Sequence, residues 1–268
     1  MSPGERQPAA DHVVGFEVYG IRGRVTVPSA DLLGPVVKQL PLHAVRCDPQ
    51  PDDRRFAIEI ADDEYVVVED GAEIARRSEL EGALYMLRRH LFFLVTEHAR
   101  DHLVVSAGVV GHEGRAIVLP GPTMVGKSHL VAALLRAGAL YYTDDWAVFD
   151  GEGRARPFPV KLLMRGEGKV TPESLGGVRG EDPIPVGLIA LLTFRPGGEW
   201  RVEARTRGAG AMMLLQAAYG MDEPPAAMKI ARNAAAQASV IEGERGEADA
   251  AAAALLEMAA QVSSGGSA

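Results

Sequence analysis

The sequence predicts an α/β fold with a P-loop core, preceded by a small α+β unit. Three observations support this prediction. A short apolar strand, the pattern G-x-x-x-x-G-K-[S/T] and an amphipathic helix follow one another between residues 115 and 137. Further strand-like segments, and then two or three Ala-rich helical segments, extend to residue 262. Two hairpin patterns and a long amphipathic helix come before all of these.

The small α+β unit is expected to span residues 1–100. Its predicted elements, in order, are a hairpin of residues 13–19 and 22–27 around Gly20, a helix at 30–40, a hairpin of 55–60 and 65–69, and a helix at 79–98. The last helix has apolar residues at helical spacing along its whole length. No catalytic motif is recognisable here, so the sequence leaves the role of this unit open.

The P-loop unit is expected to span residues 101–262, followed by a disordered tail at 263–268. Strands are predicted at residues 102–110, 115–119, 140–143, 146–149, 186–194 and 199–204. Helices are predicted at residues 127–137, 208–219, 225–238 and 247–261. The first of these helices should end at Gly138, because glycine favours the position that follows a helix.

Composition limits the partners and the compartment. The formal net charge of −8 argues against general nucleic-acid binding, which needs a dense basic surface. The single cysteine, Cys47, allows no internal disulfide and suits a reducing compartment. The first residues lack the pattern of a signal peptide, and no apolar run approaches the ~18 residues of a membrane span. We therefore expect a cytoplasmic protein with no membrane or nucleic-acid partner.

The motif predicts a phosphate cradle with ATP and Mg²⁺ as cofactors. Its residues are Gly121, Pro122, Thr123, Met124, Val125, Gly126, Lys127 and Ser128. Backbone N–H groups of this loop and of the first helical turn, including His129, would converge on the phosphate oxygens, and the helix N-terminus adds a partial positive charge. Lys127 would reach the β- and γ-phosphates, and the Ser128 hydroxyl would ligate Mg²⁺.

Asp144 and Asp145 form the second chemical signal. They follow the P-loop helix and the next predicted strand, so they should lie at the carboxyl end of that strand, beside the ligand crevice. One carboxylate would hold Mg²⁺, and the other would accept a proton from an attacking hydroxyl. The alternative interpretation is an Asp pair that only caps a turn.

Several segments resemble a known family. They are VSAGVV at 105–110, RAIVLPGP at 115–122, the P-loop, LLRAG at 134–138 and YYTDD at 141–145. Together they resemble the C-terminal domain of HPr serine kinase/phosphorylase. They are more similar to the broad set of bacterial HPr-kinase-like proteins, which includes kinases of lasso-peptide precursors. The resemblance covers residues 100–165 and continues weakly at 245–248. It implies a mixed-sheet core related to phosphoenolpyruvate carboxykinase.

The resemblance also implies roles for individual residues. Lys127 matches the phosphate-binding lysine, Ser128 the Mg²⁺-ligating hydroxyl, Asp145 the carboxylate that takes a proton from a substrate serine, and Asp144 its acidic, metal-binding neighbour. Ser106 stands at the position of the family histidine, and Leu163 stands where a further acidic ligand is expected. Arg165 and Arg245 are candidates for stabilising transferring phosphate charge, with solvated surface arginines as the alternative.

The sequence therefore predicts an ATP-dependent kinase that transfers the γ-phosphoryl group to a hydroxyl. The acceptor would be a Ser or Thr of a peptide or protein, or a small-molecule alcohol. Three alternatives remain open: a non-catalytic ATP-binding sensor or scaffold, a simple ATPase, and a phosphoenolpyruvate-carboxykinase-like decarboxylase. The last needs metal-binding His and Lys residues upstream of the P-loop, which the sequence does not show. Homo-oligomerisation and the choice between ATP and GTP also remain open.

Overall fold

Buried side chains of the strands and helices form separate hydrophobic cores in the two halves of the chain. The computed structural model describes residues 12–41, 44–98, 101–122, 126–158, 160–164, 166, 168–219 and 224–264. The chain divides into two units, Met1–Ala99 and Arg100–Ala268. Each unit contains one mixed β-sheet and its own helices, so the predicted α/β class and the mixed sheet are confirmed.

The first unit is a six-stranded sheet with two helices. Its elements are β1 (His12–Val18), β2 (Ile21–Val27), α1 (Leu33–Val37), β3 (Val45–Cys47), β4 (Arg54–Ala61), β5 (Glu64–Glu69), β6 (Ala72–Arg77) and α2 (Leu80–His98). The strand order is β3-β1-β2-β4-β5-β6, in which only β2 and β4 pair in parallel. Leu87 and Leu91 of α2 are fully buried in the core that includes Phe16 and Phe56 of the sheet.

Two predictions for the first unit need correction. The helix predicted at residues 30–40 is a 3-10 turn, Ala30–Leu32, followed by the short α1. Pro35 explains the separation of the two, because proline supplies no backbone N–H that could donate to the preceding turn. The edge strands β3 and β6 were not predicted. Both carry charged or exposed residues that make the strand pattern weak.

The second unit contains the remaining elements. They are β7 (His102–His112), β8 (Arg115–Pro120), α3 (Lys127–Arg136), β9 (Leu140–Thr143), β10 (Trp146–Asp150), β11 (Ala155–Arg156), β12 (Leu162–Met164), β13 (Gly168–Val170), β14 (Val178–Arg179), β15 (Val186–Phe194), β16 (Arg201–Arg205), α4 (Arg207–Gln216), β17 (Ala218–Tyr219), α5 (Pro224–Ala235), β18 (Ser239–Arg245) and α6 (Ala248–Ser264). None of the helices in the described ranges is long and apolar enough to cross a membrane.

The main sheet of the second unit has a parallel centre and antiparallel flanks. Its path is β11-β10-β7-β8-β15-β18-β16, with β9 and β17 also paired to β7. β8, β15 and β18 run parallel to one another. Buried residues of α4 and α5 belong to one core cluster, whereas those of α3 and α6 belong to a second cluster. Strands of the sheet contribute to both clusters, so helices cover both of its faces.

Tertiary pairing changes the predicted ends of two helices. The helix predicted at residues 208–219 ends at Gln216, because Ala218 and Tyr219 form β17 against β7. The helix predicted at 225–238 ends at Ala235, shortly before β18 begins. At the end of the chain α6 continues to Ser264, and residues 265–268 lie outside the described part.

Candidate functional site

The predicted cradle lies between the central strand β8 and helix α3. Gly121 follows β8 with φ +144°, and Gly126 precedes α3 in the left-handed region with φ +84°. Both values suit glycine, because a side chain is strained in these backbone conformations. Thr123, Met124 and Val125, three of the predicted phosphate-binding residues, lie outside the described residues. The described part of the loop therefore consists of its two ends.

Lys127 points back into this loop. Its Nζ donates to the carbonyl oxygens of Gly121, at 2.7 Å, and Pro122, at 2.8 Å. Burial lowers the pKa of the Lys127 ammonium, and the nearby Asp145 and Asp144 carboxylates oppose that shift. An anionic phosphate would be a stronger acceptor than these neutral carbonyls. The ammonium is thus already placed between the two ends of the loop.

Ser128 and Asp144 form a partly buried pair at the start of α3. The Ser128 hydroxyl donates to Oδ2 of Asp144 at 2.7 Å, and the Leu163 backbone N–H donates to the same oxygen at 3.4 Å. Asp144 is only 4% exposed. Burial raises the pKa of Asp144 to about 6, and the hydrogen bond from Ser128 opposes this shift. Leu163, at the place where an acid was expected, contributes its backbone and leaves its side chain exposed.

The other oxygen of Asp144 fits a cation. Within the described residues, Oδ1 of Asp144 is buried and receives no hydrogen bond. A buried carboxylate oxygen without a donor is costly, and a divalent cation would satisfy it. The described ranges contain no group of three His, Cys, Asp or Glu side chains that could hold a metal by themselves. Mg²⁺ commonly takes one or two protein oxygens and completes its shell with phosphate oxygens and water.

Asp145 has hydrogen bonds on both carboxylate oxygens. Trp146 donates its indole Nε1–H to Oδ2 at 2.8 Å, and Ser106 Oγ lies 3.2 Å from Oδ1. Ser106 Oγ also lies 3.2 Å from the carbonyl oxygen of Gly121, and its single hydrogen can serve only one of these acceptors. Ser106 and Trp146 are register partners on β7 and β10, so the sheet itself brings them together.

Arg245 is buried beside the start of α3. Its Nη2 donates to the Gly126 carbonyl and its Nη1 to the Gly246 carbonyl, each at 2.9 Å. Its Cζ lies 5.0 Å from the centroid of the Phe194 ring. Burial lowers the pKa of the Arg245 guanidinium from its ordinary value. The alternative of a solvated surface arginine is therefore wrong for Arg245, which is 2% exposed.

The remaining candidates differ in how the structure describes them. Arg165 lies outside the described residues. His129 is the third residue of α3, and its side chain is exposed. Trp146, which is not among the predicted site residues, hydrogen-bonds Asp145 through its indole N–H. Its position directly after the Asp pair was the available signal. Phe194 was not singled out from the sequence, although it ends β15, an apolar strand of nine residues.

Comparison with known proteins gives a weak structural similarity. No family model and no curated protein matches this sequence. The chain is similar to a solved structure of the Hpr(Ser) kinase/phosphatase from Coxiella burnetii, with 14% sequence identity and a TM-score of 0.37. The similarity covers 61% of this chain and 99% of that chain. A similarity of this extent fixes neither a reaction nor a substrate.

Proposed function

We propose that this chain is an ATP-dependent kinase that transfers the γ-phosphoryl group to a hydroxyl of a peptide, a protein or a small molecule. One observation supports the proposal above the others: Lys127, the Ser128–Asp144 pair and Asp145 meet at the N-terminus of α3. That set contains a cation for phosphate, an unsatisfied carboxylate oxygen for a metal, and a second carboxylate for a proton. Phosphoryl transfer needs these three parts.

The N-terminus of α3 and Lys127 would bind the triphosphate. The first backbone N–H groups of a helix have no intrahelical partner, so they and the helix dipole attract anions. Lys127 would exchange the carbonyls of Gly121 and Pro122 for phosphate oxygens. That exchange replaces neutral acceptors with charged ones in a buried site, where charge-assisted hydrogen bonds are stronger.

Ser128 and Asp144 would hold Mg²⁺. The Ser128 oxygen could offer a lone pair to the metal while its hydrogen bonds to Oδ2 of Asp144, and Oδ1 of Asp144 would be the second protein ligand. When bound, the metal would neutralise charge on the phosphate oxygens. The two residues are already hydrogen-bonded to each other, which limits the reorganisation that metal binding requires.

Asp145 would act as the general base. Trp146 fixes Oδ2, and Oδ1 becomes free to accept a proton when the Ser106 hydrogen turns to the Gly121 carbonyl. The acceptor O–H bond would break with its proton passing to Asp145, while the acceptor oxygen bonds to the γ-phosphorus. The bond from that phosphorus to ADP would break, and its electron pair would stay on the β-phosphate oxygen.

A non-catalytic nucleotide sensor is the second candidate. Both oxygens of Asp145 are already hydrogen-bonded, and a serine stands where the resembled family has a histidine. A protein of this kind would bind Mg·ATP through the same cradle without using Asp145 as a base. A simple ATPase differs only in using water as the acceptor.

The decisive experiment compares binding and turnover in two variants. Lys127→Ala should lose most Mg·ATP binding by calorimetry and all ADP formation, because it removes the cation that faces the phosphates. Asp145→Asn should keep ATP affinity within about twofold, and should lower turnover by about 10²- to 10⁴-fold because the general base is lost. ADP formation is measured with water and with a mixture of Ser- and Thr-containing peptides as acceptors.

Matched controls separate these effects from general damage. Lys229→Ala on α5 and Asp249→Asn on α6 remove an exposed lysine and an exposed aspartate, and should leave binding and turnover unchanged. Circular dichroism and thermal unfolding check that every variant is folded. Undiminished turnover in Lys127→Ala would reject the kinase proposal. If Asp145→Asn bound ATP tightly and its basal turnover equalled that of the unaltered chain, the result would favour the sensor.

A further inference from the structure

Phe194 ends a strand at the sheet edge where the phosphate cradle lies. β15 pairs in parallel with β8 as far as Ile189 opposite Val118, and then continues to Phe194. On the other side, β15 pairs with β18, and Phe194 is the register partner of Arg245. Ligands of α/β proteins bind beyond the carboxyl ends of parallel strands. At this edge β8 leads into the cradle, β15 ends in an aromatic ring and β18 ends in a guanidinium.

The Phe194 side chain also borders the cradle, through its Cβ atom. A Cβ atom placed on Gly126 would lie 3.8 Å from the Cβ of Phe194 and 2.7 Å from Nη2 of Arg245. The Arg245 guanidinium lies 5.0 Å from the ring centroid, within the range of a cation–π contact. Phe194, Arg245 and the first residue before α3 therefore form one contiguous group.

Phe194 lies at the exposed end of β15, where the neighbouring Thr193 is exposed as well. Residues 186–190 of β15 are all buried, whereas Phe194 remains 37% exposed beside a polar loop. Neither triphosphate binding nor proton abstraction uses this ring. An aromatic surface partly open to water, with a cation on the ring, suits a planar partner that can stack on it.

We propose that Phe194 is the platform on which the base of the bound nucleotide stacks. This inference rests on the proposed function, because the phosphates must first occupy the cradle beside the ring. Stacking tolerates every base, since each has a π-face. The site would therefore accept adenine and guanine nucleotides with similar affinity, and Arg245 would hold the ring in position from the β18 side.

Calorimetry on the full chain tests this with three probes: Mg·ATP, Mg·GTP and Mg·tripolyphosphate, which has no base. Phe194→Leu should weaken both nucleotides by about tenfold or more and leave tripolyphosphate within about twofold. Phe194→Tyr keeps the ring and should restore nucleotide affinity. Met228→Ala removes an exposed apolar side chain of α5 and is the matched control.

The other outcomes contradict the platform. Equal weakening of tripolyphosphate and ATP in Phe194→Leu would mean that the ring only supports the loop. Unchanged ATP affinity in that variant would mean that the ring does not contact the base. The ring would then contact the acceptor or no ligand. If the unaltered chain bound ATP no better than tripolyphosphate, the platform would fail while the phosphate site remained. Binding of neither probe would reject both proposals.

Discussion

Asp144 has opposite effects on the proposed chemistry and on stability: metal binding needs its carboxylate ionised, whereas burial makes the ionised form costly. Its carboxylate is buried, and burial raises its pKa to about 6, above the ordinary value of 3.8. A pKa that is higher in the folded state means that the folded chain holds the proton more tightly than the unfolded chain does. The contribution of Asp144 to stability is therefore complete below pH 4, and is lost as pH rises through 6.

Asp144→Asn should consequently stabilise the metal-free protein at neutral pH. The amide carries no charge, so the variant avoids the cost of ionising a buried carboxyl, about 2–3 kcal/mol for a shift of this size. In urea unfolding with EDTA, the gain should be present at pH 8 and should vanish near pH 4. Mg²⁺ should stabilise the unaltered chain at pH 8 and not the variant. A gain that did not depend on pH would contradict this origin.

At the residue scale, the sequence identified the charged groups but not their hydrogen bonds. The P-loop motif and the Asp pair identified Lys127, Ser128, Asp144 and Asp145, because both patterns are local in the sequence. The contact of Ser106 with Asp145 depends on the pairing of β7 with β10, which joins residues far apart in sequence. A single sequence carries no direct signal of such a register.

Helix α3 has a left-handed glycine at each end, and the two ends have different surroundings. Gly126 precedes the helix with φ +84°, and Gly138 follows it with φ +94°. A Cβ on Gly126 would lie 2.7 Å from Nη2 of Arg245, whereas a Cβ on Gly138 would meet nothing within 4 Å. Backbone strain is therefore common to both positions, and only Gly126 adds a collision beside the cradle.

These two glycines form a matched pair of variants. Gly138→Ala should cost about 1–2 kcal/mol of stability, from the left-handed conformation alone, and should leave Mg·ATP affinity unchanged. Gly126→Ala carries the same strain and must also displace Arg245, so it should lose ATP affinity by tenfold or more. Urea unfolding and calorimetry measure the two effects. Equal ATP affinities in the two variants would contradict the role given to the Gly126–Arg245 contact.

At the element scale, local pattern predicted the strands and helices that have one clearly apolar face. It missed β18, although this strand lies inside the main sheet and delivers Arg245. The reason is its sequence, SVIEGER, whose second half is charged. Glu242 and Glu244 pair with Arg205 and Arg195, which lie near them only in the folded sheet. The strands β15 and β16 that pair with β18, and these two arginines, lie far from it in sequence, so a local pattern does not show them.

At the scale of the whole molecule, the two units have separate cores, and every described residue of the phosphate site belongs to the second. Leu87 of α2 is fully buried in the first core, and Leu134 of α3 is fully buried in the second. Both are leucines in helices that pack on a sheet, so truncating either one removes the same atoms. Their variants differ only in which core loses packing.

Leu87→Ala should therefore destabilise the first unit by about 2–5 kcal/mol and leave Mg·ATP affinity unchanged. Leu134→Ala should lower the stability of the second unit by a similar amount. It should also weaken ATP binding, because Leu134 packs the same helix, α3, that carries Lys127 and Ser128. Urea unfolding followed by fluorescence and circular dichroism, with calorimetry at 25 °C, measures both quantities. The contrary result would be a loss of ATP affinity in Leu87→Ala, measured without urea on the folded variant. It would show that the first unit contributes to nucleotide binding.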